Sequence, residues 1–172
     1  WQGERGTFGG WQMDNGGDLN GDGVEDLVAT SLDKGGTIYI IWGHAGIRGG
    51  QLADADIKIR GNTSGRTLSY SLGIIGDINQ DGADDMAVGE GTGPPTDIVL
   101  FYGPFDESGT FTDTEMADVR FNGGRSESNY TTIFGTPDIS GDGFPDFVVG
   151  TYLSDEVIKD GGHVYIVEGQ GW

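Results

Sequence analysis

The sequence predicts an all-β protein: three β-propeller blades of four antiparallel strands, the third lacking its outer strand, so that the ring is incomplete. Two observations carry this. An acidic segment recurs in phase, as "GDLNGDGVEDLVAT" from Gly17, "GDINQDGADDMAVG" from Gly76 and "PDISGDGFPDFVVG" from Pro137. Their first aspartates, Asp18, Asp77 and Asp138, stand 59 and 61 residues apart, which makes the chain three copies of one unit. Around each acidic segment, short β-type runs alternate with glycine-rich turns.

The elements follow in order within a unit. The least charged run precedes each acidic loop ("GGWQMDNGG", "LSYSLGIIG" and "NYTTIFGTP") and reads as an inner strand. After the loop comes a short apolar run: "DLVAT" at 26 to 30, "DMAVG" at 85 to 89 and "DFVVG" at 146 to 150. A more strongly alternating run follows: "GTIYIIWG" at 36 to 43, "DIVLFYG" at 97 to 103 and "GHVYIVEG" at 162 to 169. The last, "DIKIRG" at 56 to 61 and "DVRFNG" at 118 to 123, alternates apolar with charged residues as a half-exposed outer strand does. The repeats cover roughly 7–61, 67–123 and 128–172 of a single three-repeat segment. No segment sustains the 3.6-residue apolar period of a helical solenoid. A twelve-strand sandwich gives no reason for the same loop at the same phase three times.

Composition agrees and narrows the function. The 34 glycines follow no collagen period and fall beside apolar runs, as turn punctuation. A formal charge of −19, from 28 acidic and 9 basic residues, argues against nucleic acid or an anionic membrane as partner and favours cations. Cysteine is absent, so no thiolate metal site or disulfide exists. No apolar run reaches the roughly 20 residues of a membrane span, so no membrane insertion is expected in this segment.

Within each acidic loop, oxygen-bearing side chains fall at positions 1, 3, 5 and 9, with glycine at 6. Loop one offers Asp18, Asn20, Asp22 and Asp26; loop two Asp77, Asn79, Asp81 and Asp85; loop three Asp138, Ser140, Asp142 and Asp146. Position 7, which is Val24, Ala83 or Phe144, has only a backbone carbonyl to give. Alternate spacing turns these oxygens inward to form a hard, all-oxygen cage, which suits Ca²⁺ rather than Zn²⁺ or copper. Uncompensated, the carboxylates repel by about 1 kcal/mol per pair. An EF-hand is excluded, because Ala29, Val88 and Val149 occupy the place of its position-12 glutamate. Three structural calcium sites are therefore expected, the third weakest, since Ser140 replaces Asn and Pro137 replaces Gly.

These features resemble the FG-GAP repeat of integrin α-subunit β-propellers and their prokaryotic relatives, over almost the whole chain. "FGG" at 8 to 10 keeps the Phe-Gly signature, and "LSYSLGIIGDINQDG" keeps the rhythm of inner strand into calcium loop. Leu68-Ser69 and Asn129-Tyr130 depart from Phe-Gly, and "ATS", "GEG" and "GTY" replace Gly-Ala-Pro. The resemblance implies calcium in the turn between the first and second strands of each blade. It also implies a second, less acidic face carrying Lys34, Arg66, Arg125 and Lys159; two N-x-S/T motifs, at Asn62 and Asn129, fall in the fourth-to-first connections, as glycosylation sites or as chance matches in a chain rich in Ser and Thr.

Enzymatic chemistry has little support: no catalytic residue is assigned, His44 and His163 occupy non-equivalent places, and no G-x-S-x-G elbow is present. The tryptophans are expected in core and blade-interface packing. The reading is a calcium-stabilised extracellular or cell-surface binding and assembly module, with a protein or glycan ligand. The alternative is the propeller portion of a secreted polysaccharide lyase. Three blades are too few to close a ring, so further blades belong either to a longer chain or to neighbouring chains that associate through open blade edges.

Overall fold

The computed structural model describes residues 1–33, 35–61, 67–91, 97–121, 131–151 and 161–169. Lys34, Asn62, Arg66, Arg125, Asn129 and Lys159 lie outside these, as does Trp172. The described residues form three sheets.

The first sheet contains β1 (Met13–Gly17), β2 (Asp26–Ser31), β3 (Thr37–Ile41) and β4 (Ile57–Arg60) as an antiparallel meander. The second contains β5 (Leu68–Gly76), β6 (Asp85–Glu90), β7 (Asp97–Phe101) and β9 (Val119–Phe121), again antiparallel. The third contains β10 (Thr131–Thr136), β11 (Asp146–Thr151) and β12 (His163–Val167). Each of these eleven strands falls on one of the runs expected from the sequence. The inner strands β1 and β5 both slip register just before their acidic loops, between Asn15 and Gly17 and between Ile74 and Gly76.

Period-2 alternation sorts the strands between cores. Met86 and Val88 of β6, with Val99 and Phe101 of β7, join Val28, Ile38, Ile40, Ile57 and Ile59 of the first sheet in one buried cluster. The intervening Ala87, Ile98 and Leu100 face the other way and pack with Ile133, Phe147 and Val149 of the third sheet. The middle blade is thus buried on both faces. The inner strands of blades two and three approach closely: a Cβ on Gly135 would stand 2.4 Å from the Ile74 carbonyl oxygen, so only glycine fits.

One element has no counterpart in the sequence reading. A short strand, β8 (Gly109–Thr112), leaves the connection between β7 and β9 and pairs in parallel with β4, giving the first sheet a fifth strand. A single helical turn, α1 (Asp113–Met116), follows it. Phe105 is buried in the first core, with Phe111 and Met116 packed against it, so the connection clasps blade one. Arg120 of β9 pins the clasp: its guanidinium pairs with Glu90 and, at 3.1 Å, with Asp113. β12 forms an edge of the third sheet, with Val164 and Ile166 exposed.

Trp42 packs against the first core as expected, but Trp1 and Trp11 are 42% and 46% exposed. The correction has a plain cause: both lie outside the strands, before β1, where no sheet covers them.

Candidate metal centres

The acidic loops join β1 to β2, β5 to β6 and β10 to β11, so all three occupy the same end of their sheets. Loops one and two fold alike, bond for bond. In loop one the two Asp18 carboxylate oxygens accept the backbone N–H groups of Asp22 and Gly23, at 2.9 and 2.7 Å. Asn20 Oδ1 accepts the same Asp22 N–H at 3.0 Å, which brings the oxygens of positions 1 and 3 together. Asp22 Oδ1 accepts from Val24 N at 2.9 Å, and Asn20 Nδ2 donates to Asp22 Oδ2 at 3.2 Å. Loop two repeats this with Asp77, Asn79, Asp81, Gly82 and Ala83. Glycine at position 6 adopts φ of +86°, +101° and +98° in the three loops, a conformation a side chain would strain.

Loop three departs where its sequence does. Asp138 accepts from Gly141, Asp142 and Gly143, and Asp142 accepts from Phe144 N at 3.0 Å. The shorter Ser140 hydroxyl lies 3.4 Å from Asp138 Oδ1 and 3.5 Å from Asp146 Oδ1.

The position-9 aspartates do more than the sequence suggests. All three are buried, and each braces its loop against the end of the third strand. Asp26 accepts from Leu19 N and Gly43 N at 2.9 and 2.8 Å; Asp85 accepts from Ile78 N and Gly103 N at 3.0 and 2.9 Å. Asp146 accepts from Ile139, Ser140 and Gly169. The glycines are required for this contact: a Cβ would meet the carbonyl oxygen of Glu25 at 2.0 Å, of Asp84 at 2.8 Å, or of Pro145 at 2.1 Å. Their signal was legible, because every third run ends in glycine. Asp56 and Asp118, just before the outer strands, brace the neighbouring residue in the same way, accepting from Trp42 N at 2.9 Å and Tyr102 N at 2.7 Å.

Burial sets the electrostatics. It raises the Asp26 carboxyl against the Gly43 and Leu19 N–H groups, with the charges of Asp22 and Asp18 adding to the rise. Burial pushes Asp85 up to about 7, against the Gly103 and Ile78 N–H groups and helped by Asp81 and Asp77. Burial also works to raise Asp146, but the backbone N–H groups of Ser140, Gly169 and Ile139 together hold it below the ordinary value. Among the described residues, no lysine or arginine pairs with any of these loop carboxylates.

As they stand, no three Asp, Glu or His side chains among the described residues are gathered closely enough to hold a metal ion. The carboxylates at positions 1 and 9 are turned onto backbone N–H groups instead. The donor set nevertheless fits a hard cation: every side-chain donor in the set is oxygen, each carboxylate keeps lone pairs beyond those used by N–H groups, and no cationic side chain among the described residues offsets their mutual repulsion.

A family model described as "FG-GAP repeat" matches residues 130–167. Integrin alpha-6 of Gallus gallus is 32% identical over 149 residues, covering 81% of this chain. Over most of its length this chain is integrin-like, and it carries an FG-GAP repeat. Integrin alpha-3 of Cricetulus griseus is 29% identical over 154 residues, or 82% of this chain, and integrin alpha-7 of Rattus norvegicus 28% over 142 residues, or 78%. The FG-GAP chain spans only 13%, 14% and 12% of these relatives' lengths. No helix among the described residues is long and apolar enough to cross a membrane.

Proposed function

We propose that the chain is a calcium-stabilised binding and assembly module of an extracellular or cell-surface protein. The observation that carries this is the threefold recurrence of an all-oxygen loop, with mutually repelling carboxylates that pair with no cationic side chain among the described residues, at one end of three packed blades. Asp18, Asn20, Asp22, Asp26 and the Val24 carbonyl would hold one ion; Asp77, Asn79, Asp81, Asp85 and the Ala83 carbonyl a second; Asp138, Ser140, Asp142, Asp146 and the Phe144 carbonyl a third. Bound calcium supplies positive charge and no redox or acid–base chemistry, so its role is structural. The chain's own residues do the rest: positions 1 and 9 hold the loop backbone, and the position-6 glycine turns it.

Adhesion follows from the kinship to integrin α subunits, with a protein or glycan ligand on a surface away from the loops. The repeats at 7–61, 67–123 and 128–172 are the blade units of this reading. Light scattering and calorimetry with calcium and with chelator test it together. Higher melting temperature in calcium supports the metal reading, and its absence refutes it. Calcium-dependent association of two or more chains supports assembly through open edges, whereas a stable monomer in calcium refutes that part.

A further inference from the structure

We propose that Asp84, at position 8 of loop two, is a positioning residue for the metal site of loop one, so that the first two loops fill as a coupled pair. The proposal rests on the calcium reading above and concerns which residue carries one site's occupancy to the next.

Two bonds running in opposite directions make the link. Asp18 N, at position 1 of loop one, donates to Asp84 Oδ2 at 2.7 Å, and Asp84 N donates back to the Asp18 carbonyl at 2.8 Å. Asp18 therefore has its backbone fastened to blade two, while its carboxylate reaches over Asp22 and Gly23 of its own loop. Asp84 in turn sits between Ala83 and Asp85, two members of the loop-two donor set. A loop-two backbone drawn in around an ion carries Asp84 with it, and Asp84 is tied to the first ligand of loop one.

The contact is built into the surrounding chain. A Cβ on Gly17 would stand 3.2 Å from Asp84 Oδ2 and 2.4 Å from Ile74 Cγ2, so the bare glycine lets the carboxylate approach. Phe105 N, just beyond the strand end braced by Asp85, donates to the Leu19 carbonyl at 2.9 Å and adds a second tie. Loop three is joined differently. Its position 8 is Pro145, whose side chain accepts nothing, and loop two reaches it through Gln80 Nε2 on the Gly143 carbonyl at 2.8 Å. That neutral bond touches no position-1 residue, so loops one and two are the coupled pair and loop three follows independently.

Calcium titrations read by amide NMR resolve the loops, because Gly23, Gly82 and Gly143 each donate to the position-1 carboxylate of their own loop. Asp84→Asn and Asp84→Ala both remove the charge, but only asparagine keeps an oxygen for Asp18 N. Asp84→Ala should raise the calcium midpoint at Gly23 about tenfold above that of Asp84→Asn, as loss of a residue that orients a ligand does. The two variants should differ less at Gly82 than at Gly23, because the Asp84 carboxylate acts more strongly with the Asp18 N–H than with that of Asp77 in its own loop. Equal midpoints at Gly23 in the two variants would overturn the proposal. Should Asp84→Ala fail to fold, Asp81→Ala, which weakens loop two, provides the second test: by reciprocity the Gly23 midpoint must rise with that of Gly82. A Gly23 midpoint unmoved in Asp81→Ala also overturns it. Silence of all three glycines in wild type up to about 10 mM calcium refutes the metal reading itself, which is a distinct result from Gly82 responding without Gly23.

Discussion

Gly43→Ala tests whether each loop rests on the end of its own third strand. A Cβ there would stand 2.0 Å from the Glu25 carbonyl oxygen and 2.9 Å from Val24 Cγ1. The loop must retreat by more than about 1 Å to restore ordinary contact, and that movement stretches the 2.8 Å bond from Gly43 N to the buried Asp26 carboxylate. Overpacking costs about 1–3 kcal/mol, and loss of a buried hydrogen bond to a charged group costs about 1.5–3 kcal/mol. The substitution should therefore remove roughly 3–5 kcal/mol, or about 10 °C in melting temperature for a chain of this size. Urea unfolding in chelator is the assay, since it excludes any contribution from bound metal. Gly46→Ala is the control: its φ is +80° with nothing within 4 Å of the added Cβ. It should cost only the left-handed strain of about 1 kcal/mol. Gly169→Ala should match Gly43→Ala, and Gly103→Ala should be milder, in step with their 2.1 and 2.8 Å contacts. A Gly43→Ala chain no less stable than Gly46→Ala refutes the bracing argument.

Chelator should lower the melting temperature, and each loop refilled at about ten times its Kd should restore about 1.4 kcal/mol; calorimetry without a calcium effect contradicts this. Arg120→Ala should cost about 3–5 kcal/mol in urea unfolding, because Glu90 and Asp113, 3% and 1% exposed, lose their shared guanidinium. A loss under about 1 kcal/mol would mean the clasp is held by Phe105 and Phe111 packing alone. Ser140→Asp should tighten loop three about tenfold by adding a carboxylate to its donor set, read at the Gly143 amide; unchanged affinity would show that position 3 does not face the ion.

Most of the blade architecture was legible because it is local. Alternation in "TIYII" and "DIVLF", and the acidic loop in front of "DLVAT" and "DMAVG", are patterns within ten residues, and each became a strand or a turn. What the sequence hid is contact between units. β8 is four residues, "GTFT", with no distinctive alternation, and its partner β4 lies in the preceding blade. The Asp18 to Asp84 bond spans 66 positions, and nothing in either loop announces it. From the sequence, the position-9 aspartates Asp26, Asp85 and Asp146 read as members of the oxygen donor set. Their second role needs the third strand's end beside the loop, a neighbourhood only the folded sheet creates.

That second role explains how such acidic loops can fold before any ion arrives. Positions 1 and 9 lay their carboxylates on backbone N–H groups that a tight loop would otherwise leave unpaired, so the loop backbone is organised by the same side chains that form the donor set. What remains uncompensated is charge: burial and neighbouring carboxylates both raise Asp26 and Asp85. On the calcium proposal, the ion would act on a loop already close to shape, and its contribution would be an increment of stability per blade. A zinc finger, unfolded without its metal, is the opposite arrangement. Because Asp84 fastens loop two to the first residue of loop one, the proposed coupling would make the increments at blades one and two depend on each other, while loop three, with Pro145 at that position, would add its own.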